Sequence, residues 1–148
     1  MEPQRAAEVR RDPPASLTPD QVREKLRAVA LFQGLDGGDL EQILGISESV
    51  LVEAGELVFD EGDRGDHFYI IVRGSVELRK SGAEGAKKLA VLRAGQAFGE
   101  MALLNQTPRS ASALAVEDTY LLSISRAAFG GMLGGDTLAV CLFRIFFK

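Results

Sequence analysis

Between residues 49 and 124, apolar side chains come in short runs rich in Val, Ile, Leu, Phe and Tyr, cut by clusters of Gly, Asp and Glu. Runs of this length bounded by turn formers predict β-strands. They fall at 49–53, 57–60, 67–73, 75–80, 87–93, 111–116 and 119–124. Turn signals separate them at Ala54-Gly55, Glu61-Gly62-Asp63, Gly65-Asp66, Gly74, 81–85 and Ala94-Gly95. Val76 and Leu78 alternate with Glu77 and Arg79, which predicts one face inside and one wet. Strands do not alternate with helices, so a doubly wound parallel sheet is excluded. The pattern predicts a mainly β fold, an antiparallel β barrel or jelly roll with flanking helices.

Helical periodicity brackets this region. Thr18-Pro19-Asp20-Gln21 reads as a helix start, with Thr18 as cap, Pro19 in the first turn and Gln21 able to complete a capping box. Val22, Leu26, Val29 and Ala30 recur at helical spacing, and Gly34 is expected to end the helix. A second helix is expected from Asp36 or Asp39, carrying Leu40, Ile43 and Leu44. A short helix follows Ser125, weakened by Gly130-Gly131, and Asp136 can cap a last one from Thr137. That last segment, 137–148, is apolar nearly all round and must be buried somewhere. It is too short to cross a bilayer, which takes about 20 residues. Residues 1–16 hold charges and Pro13-Pro14 with few large apolar residues, and read as a disordered leader before a domain at 17–148.

The chain has 148 residues, 46% of them hydrophobic, enough for one domain with a real core. A net charge of −4, with the basic residues scattered, argues against direct nucleic-acid binding. The single Cys141 cannot form an internal disulfide, and the first twenty residues contain no apolar signal segment, so the expectation is a cytoplasmic protein. His67 is the sole histidine, too few for a jelly-roll metal centre, and it forms no nucleophilic triad. It reads as a strand residue at a solvated edge. The chemistry therefore points to a binding module and not to an enzyme.

The most informative stretch is 98–112, Phe-Gly-Glu-Met-Ala-Leu-Leu-Asn-Gln-Thr-Pro-Arg-Ser-Ala-Ser. Gly99 lets a backbone approach a ligand closely. Residues 100–104 suit one helical turn, whose free N–H groups favour an anion. Arg109 offers a planar fork of donors to a phosphate. Glu100, acceptor-only when ionised, repels phosphate and suits a pair of sugar hydroxyls. Taken alone, Arg109 would be a surface arginine after a turn proline and Glu100 a glutamate favoured by a helix dipole. Together they suggest a small sugar-phosphate ligand. Phe98, Met101, Leu103, Leu104, Val76 and Leu78 are ordinary core residue types.

The same residues carry a resemblance. Phe98-Gly99-Glu100, Ala102-Leu103-Leu104 and Pro108-Arg109-Ser110-Ala111 resemble the phosphate-binding cassette of cyclic-nucleotide-binding domains, as in protein kinase A regulatory subunits and catabolite-activator-like proteins. The likeness continues upstream through Glu61-Gly62-Asp63, Gly65 to Ile71, Gly74 and Gly95, and covers roughly 29–133. It implies a jelly-roll barrel with two N-terminal helices, a short cassette helix and C-terminal helices. Glu100 would then bind the ribose 2′-hydroxyl and Arg109 the cyclic phosphate. Gly99, Ala102 and Ser110 would line the pocket with their backbone, beside Phe98 and Met101, and Leu78 or Val76 would wall the base. The ligand would be cAMP before cGMP, with no cofactor, and Ser110 does not decide between them. The resemblance further implies a regulatory module, of bacterial stand-alone or truncated type, that signals through its C-terminal helices. Its partner would be a second copy bound through 137–148 or a downstream effector.

Overall fold

The computed structural model describes residues 18–29, 32–103 and 108–132. The expected leader (1–16), the end of the cassette turn at Leu104, the final helix and dimer segment (137–148), and hence both limits of the expected domain, lie outside the described residues. Helix α1 spans Pro19–Ala28, and its capping box is formed as expected, Gln21 N–H donating to Thr18 Oγ1 at 3.2 Å and Thr18 N–H to Gln21 Oε1 at 2.8 Å. It ends earlier than Gly34. Val29 turns extended at ψ 124° and buries its side chain, and its N–H closes on Leu26 O. Gly34 instead sits, with φ +89°, in the turn before α2. Helix α2, Gly37–Ile46, starts from Asp36 by a second reciprocal box with Asp39.

Eight strands follow among the described residues: β1 Glu48–Val52, β2 Leu57–Phe59, β3 His67–Arg73, β4 Ser75–Gly82, β5 Gly85–Arg93, β6 Ala97–Phe98, β7 Ser112–Ala115 and β8 Thr119–Ser125. They form two antiparallel four-stranded sheets, in the orders β1-β8-β3-β6 and β2-β7-β4-β5. A four-residue 3-10 turn, Glu100–Leu103, follows β6, and helix α3, Arg126–Met132, follows β8. Gly130 and Gly131 lie inside α3, so they do not interrupt it.

The first sheet is covered on both faces. Phe68, Ile70 and Val72 of β3, with Tyr120, Leu122 and Ile124 of β8, meet the helices through Val22, Leu26, Ile43 and Phe129. Phe32, Phe68 and Phe129 form the centre of that layer, with ring centroids 5.2–6.3 Å apart. Ile71 and Leu121 point the other way, toward Val58, Val76, Ala113 and Ala115 of the second sheet. A strand buried on both sides needs a continuous apolar run, which is why 67–73 lacks strict alternation. The second sheet has one open face and a β4–β5 hairpin that projects past it, exposed at every residue from Lys80 to Leu89.

One expectation about that open face is corrected. Glu77 is buried at 8% exposure, because its carboxylate pairs with Arg79 on the same face and its strand lies between β5 and β7. No described helix is long and apolar enough to cross a membrane.

Candidate functional site

The loop from Asp60 to Asp66 is knitted before it meets anything else. Asp60 N–H donates to Asp63 Oδ2 (2.9 Å), and Asp63 N–H donates to Asp60 O (3.1 Å). Ser112 Oγ donates to Asp60 Oδ1 at 2.6 Å and accepts from Glu61 N–H at 2.9 Å, fixing the start of β7 to the loop. The loop in turn clasps the cassette. Arg64 and Pro108 form an antiparallel bridge, Arg109 N–H donates to Asp63 O at 2.7 Å, and Gly62 N–H donates to Arg109 O at 2.8 Å. The backbone of Arg109 is therefore held from both sides, and its side chain runs inward.

The guanidinium is half buried. Nη2 donates to His67 O at 2.6 Å and Nη1 to Gly99 O at 3.2 Å. Its carbon lies 4.1 Å from the centroid of the Phe59 ring, within cation–π range. Nε is buried without a hydrogen-bond partner. Burial pulls the Arg109 pKa below its ordinary value, while Tyr69, Asp66 and Asp63 pull the other way. An arginine starts so high that it stays charged at neutral pH. Burial also pushes the neighbouring Tyr69 phenol up, against the opposing field of Arg109.

Two glycines make this position sterically open. A Cβ at Gly65 would stand 2.3 Å from Arg109 Cζ, and one at Gly99 would stand 2.9 Å from Nη1. His67 behaves as a half-exposed strand residue, its Nδ1 2.6 Å from Asp66 Oδ1. Its contribution here is its main-chain oxygen.

A cavity of about 460 Å³ opens over Arg109. Of the residues expected from sequence, Phe98, Gly99, Glu100, Met101, Arg109, Ser110 and Leu78 line it. Ala102 follows Met101 in the same 3-10 turn. Glu100 is buried at 8% exposure at the start of that turn. Val76, the alternative to Leu78 as wall, lies fully in the core. Met101, read as a core type, is 53% exposed at the cavity mouth. The anion-binding helix start becomes a 3-10 turn of four residues, so N–H donors are present but little macrodipole. Sequence reasoning missed Phe59, Leu92 and Ala97, which complete the wall. Phe59 sits in a strand of three residues, and Ala97 in one of two, both too short for periodicity to show.

The cavity thus joins a cation, a buried carboxylate and an apolar wall, in a volume typical of small-molecule sites. Comparisons with known proteins agree with that geometry. The family model described as cyclic nucleotide-binding domain matches residues 49–136. A cyclic AMP receptor protein of Thermus thermophilus is 38% identical over 68% of this chain and 47% of its own length. A cAMP-dependent protein kinase regulatory subunit of Mycosarcoma maydis is 38% identical over 74% of this chain and 22% of its own. The chain thus spans about half of one relative and about a fifth of the other. Among solved structures, the regulatory domain of Toxoplasma gondii protein kinase A, co-crystallised with cAMP, superposes with a TM-score of 0.73 at 30% identity, covering 80% of this chain and 45% of that one. Fold, cassette and matches agree, and the chain belongs to the cyclic nucleotide-binding domain family.

Proposed function

We propose that this domain binds a cyclic nucleotide monophosphate in the cavity over Arg109, cAMP in preference to cGMP, and acts as a regulatory module without chemistry of its own. The observation that carries this reading is a half-buried guanidinium at the cavity wall, fixed by main-chain carbonyls and held beside the buried Glu100. The guanidinium fork suits a cyclic phosphate, the Glu100 carboxylate a ribose 2′-hydroxyl, and Leu78 and Leu92 the base. The preference for cAMP follows relatives named for that nucleotide.

Arg126 N–H, the first of α3, donates to Asp66 O at 2.8 Å, so the loop that clasps Arg109 also holds the start of that helix. Ligand binding that shifts this loop would shift α3, a route to the C-terminal helices and to a second copy or a downstream effector. Such a signal requires the nucleotide to prefer one arrangement over the other. A cytoplasmic place fits a chain with one cysteine.

Calorimetry with cAMP, cGMP, a cyclic dinucleotide and linear 5′-AMP tests the reading. The expected order is cAMP tightest, cGMP weaker and 5′-AMP weaker still. No heat from any cyclic nucleotide would refute it.

A further inference from the structure

Strand β2 has only three residues, Leu57–Phe59. In a regular strand Val58 and Phe59 would face opposite sides, yet both are buried. The register against β7 explains this: Leu57 pairs with Leu114 and Phe59 with Ala113, with an irregularity between them. A bulge of this kind re-aims a side chain, and the Phe59 ring reaches the cavity wall under Arg109. The ring is itself held. It lies 6.0 Å from Tyr69 and 5.9 Å from Phe98, which stack on each other at 5.3 Å.

The guanidinium has few ways to move. The carbonyls of Gly99 and His67 fix its rotation in its own plane, and Gly65 leaves the space it occupies. The π face of Phe59 is an electron-rich surface over the cation, and the Tyr69 side chain also interacts with it. An aliphatic side chain at 59 would fill most of the same volume and offer no such face.

We propose that Phe59 is a positioning residue for the ligand's anionic group: its ring holds the Arg109 fork in its binding orientation before the ligand arrives. The proposal rests on the cyclic-nucleotide reading for its ligand, though not for the Phe59–Arg109 contact itself. A merely structural Phe59 would answer to volume, whereas a cation–π platform answers to ring electrons. Phenylalanines carrying one, two and three ring fluorines at position 59 withdraw π density at nearly constant shape, and Phe59→Leu removes the ring. Two readouts are needed: cAMP affinity by calorimetry, and the Arg109 Nε–H resonance in the ligand-free protein.

Affinity should fall with each fluorine and by about ten-fold in Phe59→Leu, between the scales of an exposed and a desolvated cation–π contact. The fall should vanish in an Arg109→Ala background. The Nε–H resonance should be ring-current shifted in the wild type and move in Phe59→Leu. Wild-type cAMP binding with affinity flat across the fluorine series would overturn the Phe59 assignment and leave the nucleotide reading standing. A wild type that binds no cyclic nucleotide would sink the nucleotide reading. The free-protein resonance then decides for Phe59, and one unmoved by Phe59→Leu overturns the assignment.

Discussion

Strand β3 has a glycine near each end, Gly65 before it and Gly74 after it, and the two are built differently. At its C-terminal end Gly74 has φ +104°, and a Cβ there would meet Thr119 Cα at 2.7 Å and Asp118 O at 2.8 Å. The neighbouring polar groups are closed on one another. Thr119 Oγ1 accepts from Ser75 N–H at 3.2 Å and donates to Glu117 O at 2.8 Å, and Ser75 Oγ donates to Glu117 Oε2 at 2.6 Å. Toward the N-terminal end, the atoms nearest a Cβ on Gly65 would be Arg109 Cζ, Nε and Cδ, the outer part of a long side chain. One end is backbone against backbone with its polar groups paired. The other leaves room for a cation and a cavity. A barrel can hold a buried charge beside an opening where side chains give way, provided its other end does not.

Substitution by alanine at the two glycines should separate these ends most sharply. In Gly74→Ala the left-handed φ alone costs roughly 1–3 kcal/mol, and the backbone clash cannot relax. Chemical denaturation should show a loss of at least about 2 kcal/mol, with ligand affinity in the folded fraction little changed. Gly65→Ala should do the reverse. The added methyl displaces the guanidinium from its carbonyl partners, so cAMP affinity drops more than about ten-fold, or 1.4 kcal/mol, with a smaller stability loss than in Gly74→Ala. Equal stability losses at the two sites would break the comparison.

A smaller effect sharpens the ligand end. The 2′-deoxy analogue of cAMP should bind the wild type about five- to ten-fold more weakly than cAMP, a loss of about 1 kcal/mol. Against Glu100→Ala the same analogue should lose less than about two-fold, because the hydroxyl and carboxylate act as a pair. Equal losses in both backgrounds would place the ribose elsewhere.

The smallest expected effect is in alkali. Burial raises the Tyr69 pKa, so the folded state favours the neutral phenol. That contribution is fully present below the ordinary phenol value, about 10, and is lost as pH climbs through the raised folded value. Tyr69→Phe should therefore flatten the alkaline limb of the stability–pH curve. An identical limb in both proteins would remove Tyr69 from the account.

Much of this was legible in the sequence where a local rule suffices. The Thr18 capping box and the full span of β3 follow from residue type and spacing, and Asp36 is one of the two helix starts that spacing allows. The cassette was legible too, since Gly99, Glu100 and Arg109 carry distinct chemistry and lie close along the chain. What was not legible depends on partners distant in sequence. Helix α1 stops at Ala28 because Val29 is drawn into the core. Glu77 is dry because neighbouring strands and Arg79 cover it. Phe59 turns toward Arg109 through a register slip against β7, which no pattern within a three-residue strand announces.

Arg109 is proposed to hold the anionic group of a cyclic nucleotide. The most direct test is cAMP calorimetry on wild type, Arg109→Ala and Arg109→Lys, with thermal unfolding of each. The expected result is cooperative unfolding in all three and a loss of at least about 2 kcal/mol, roughly 30-fold, in Arg109→Ala. Arg109→Lys should also be poor, because it keeps the charge and loses the fork. A folded Arg109→Ala protein that binds cAMP as tightly as the wild type would rule out Arg109 as the phosphate-binding group.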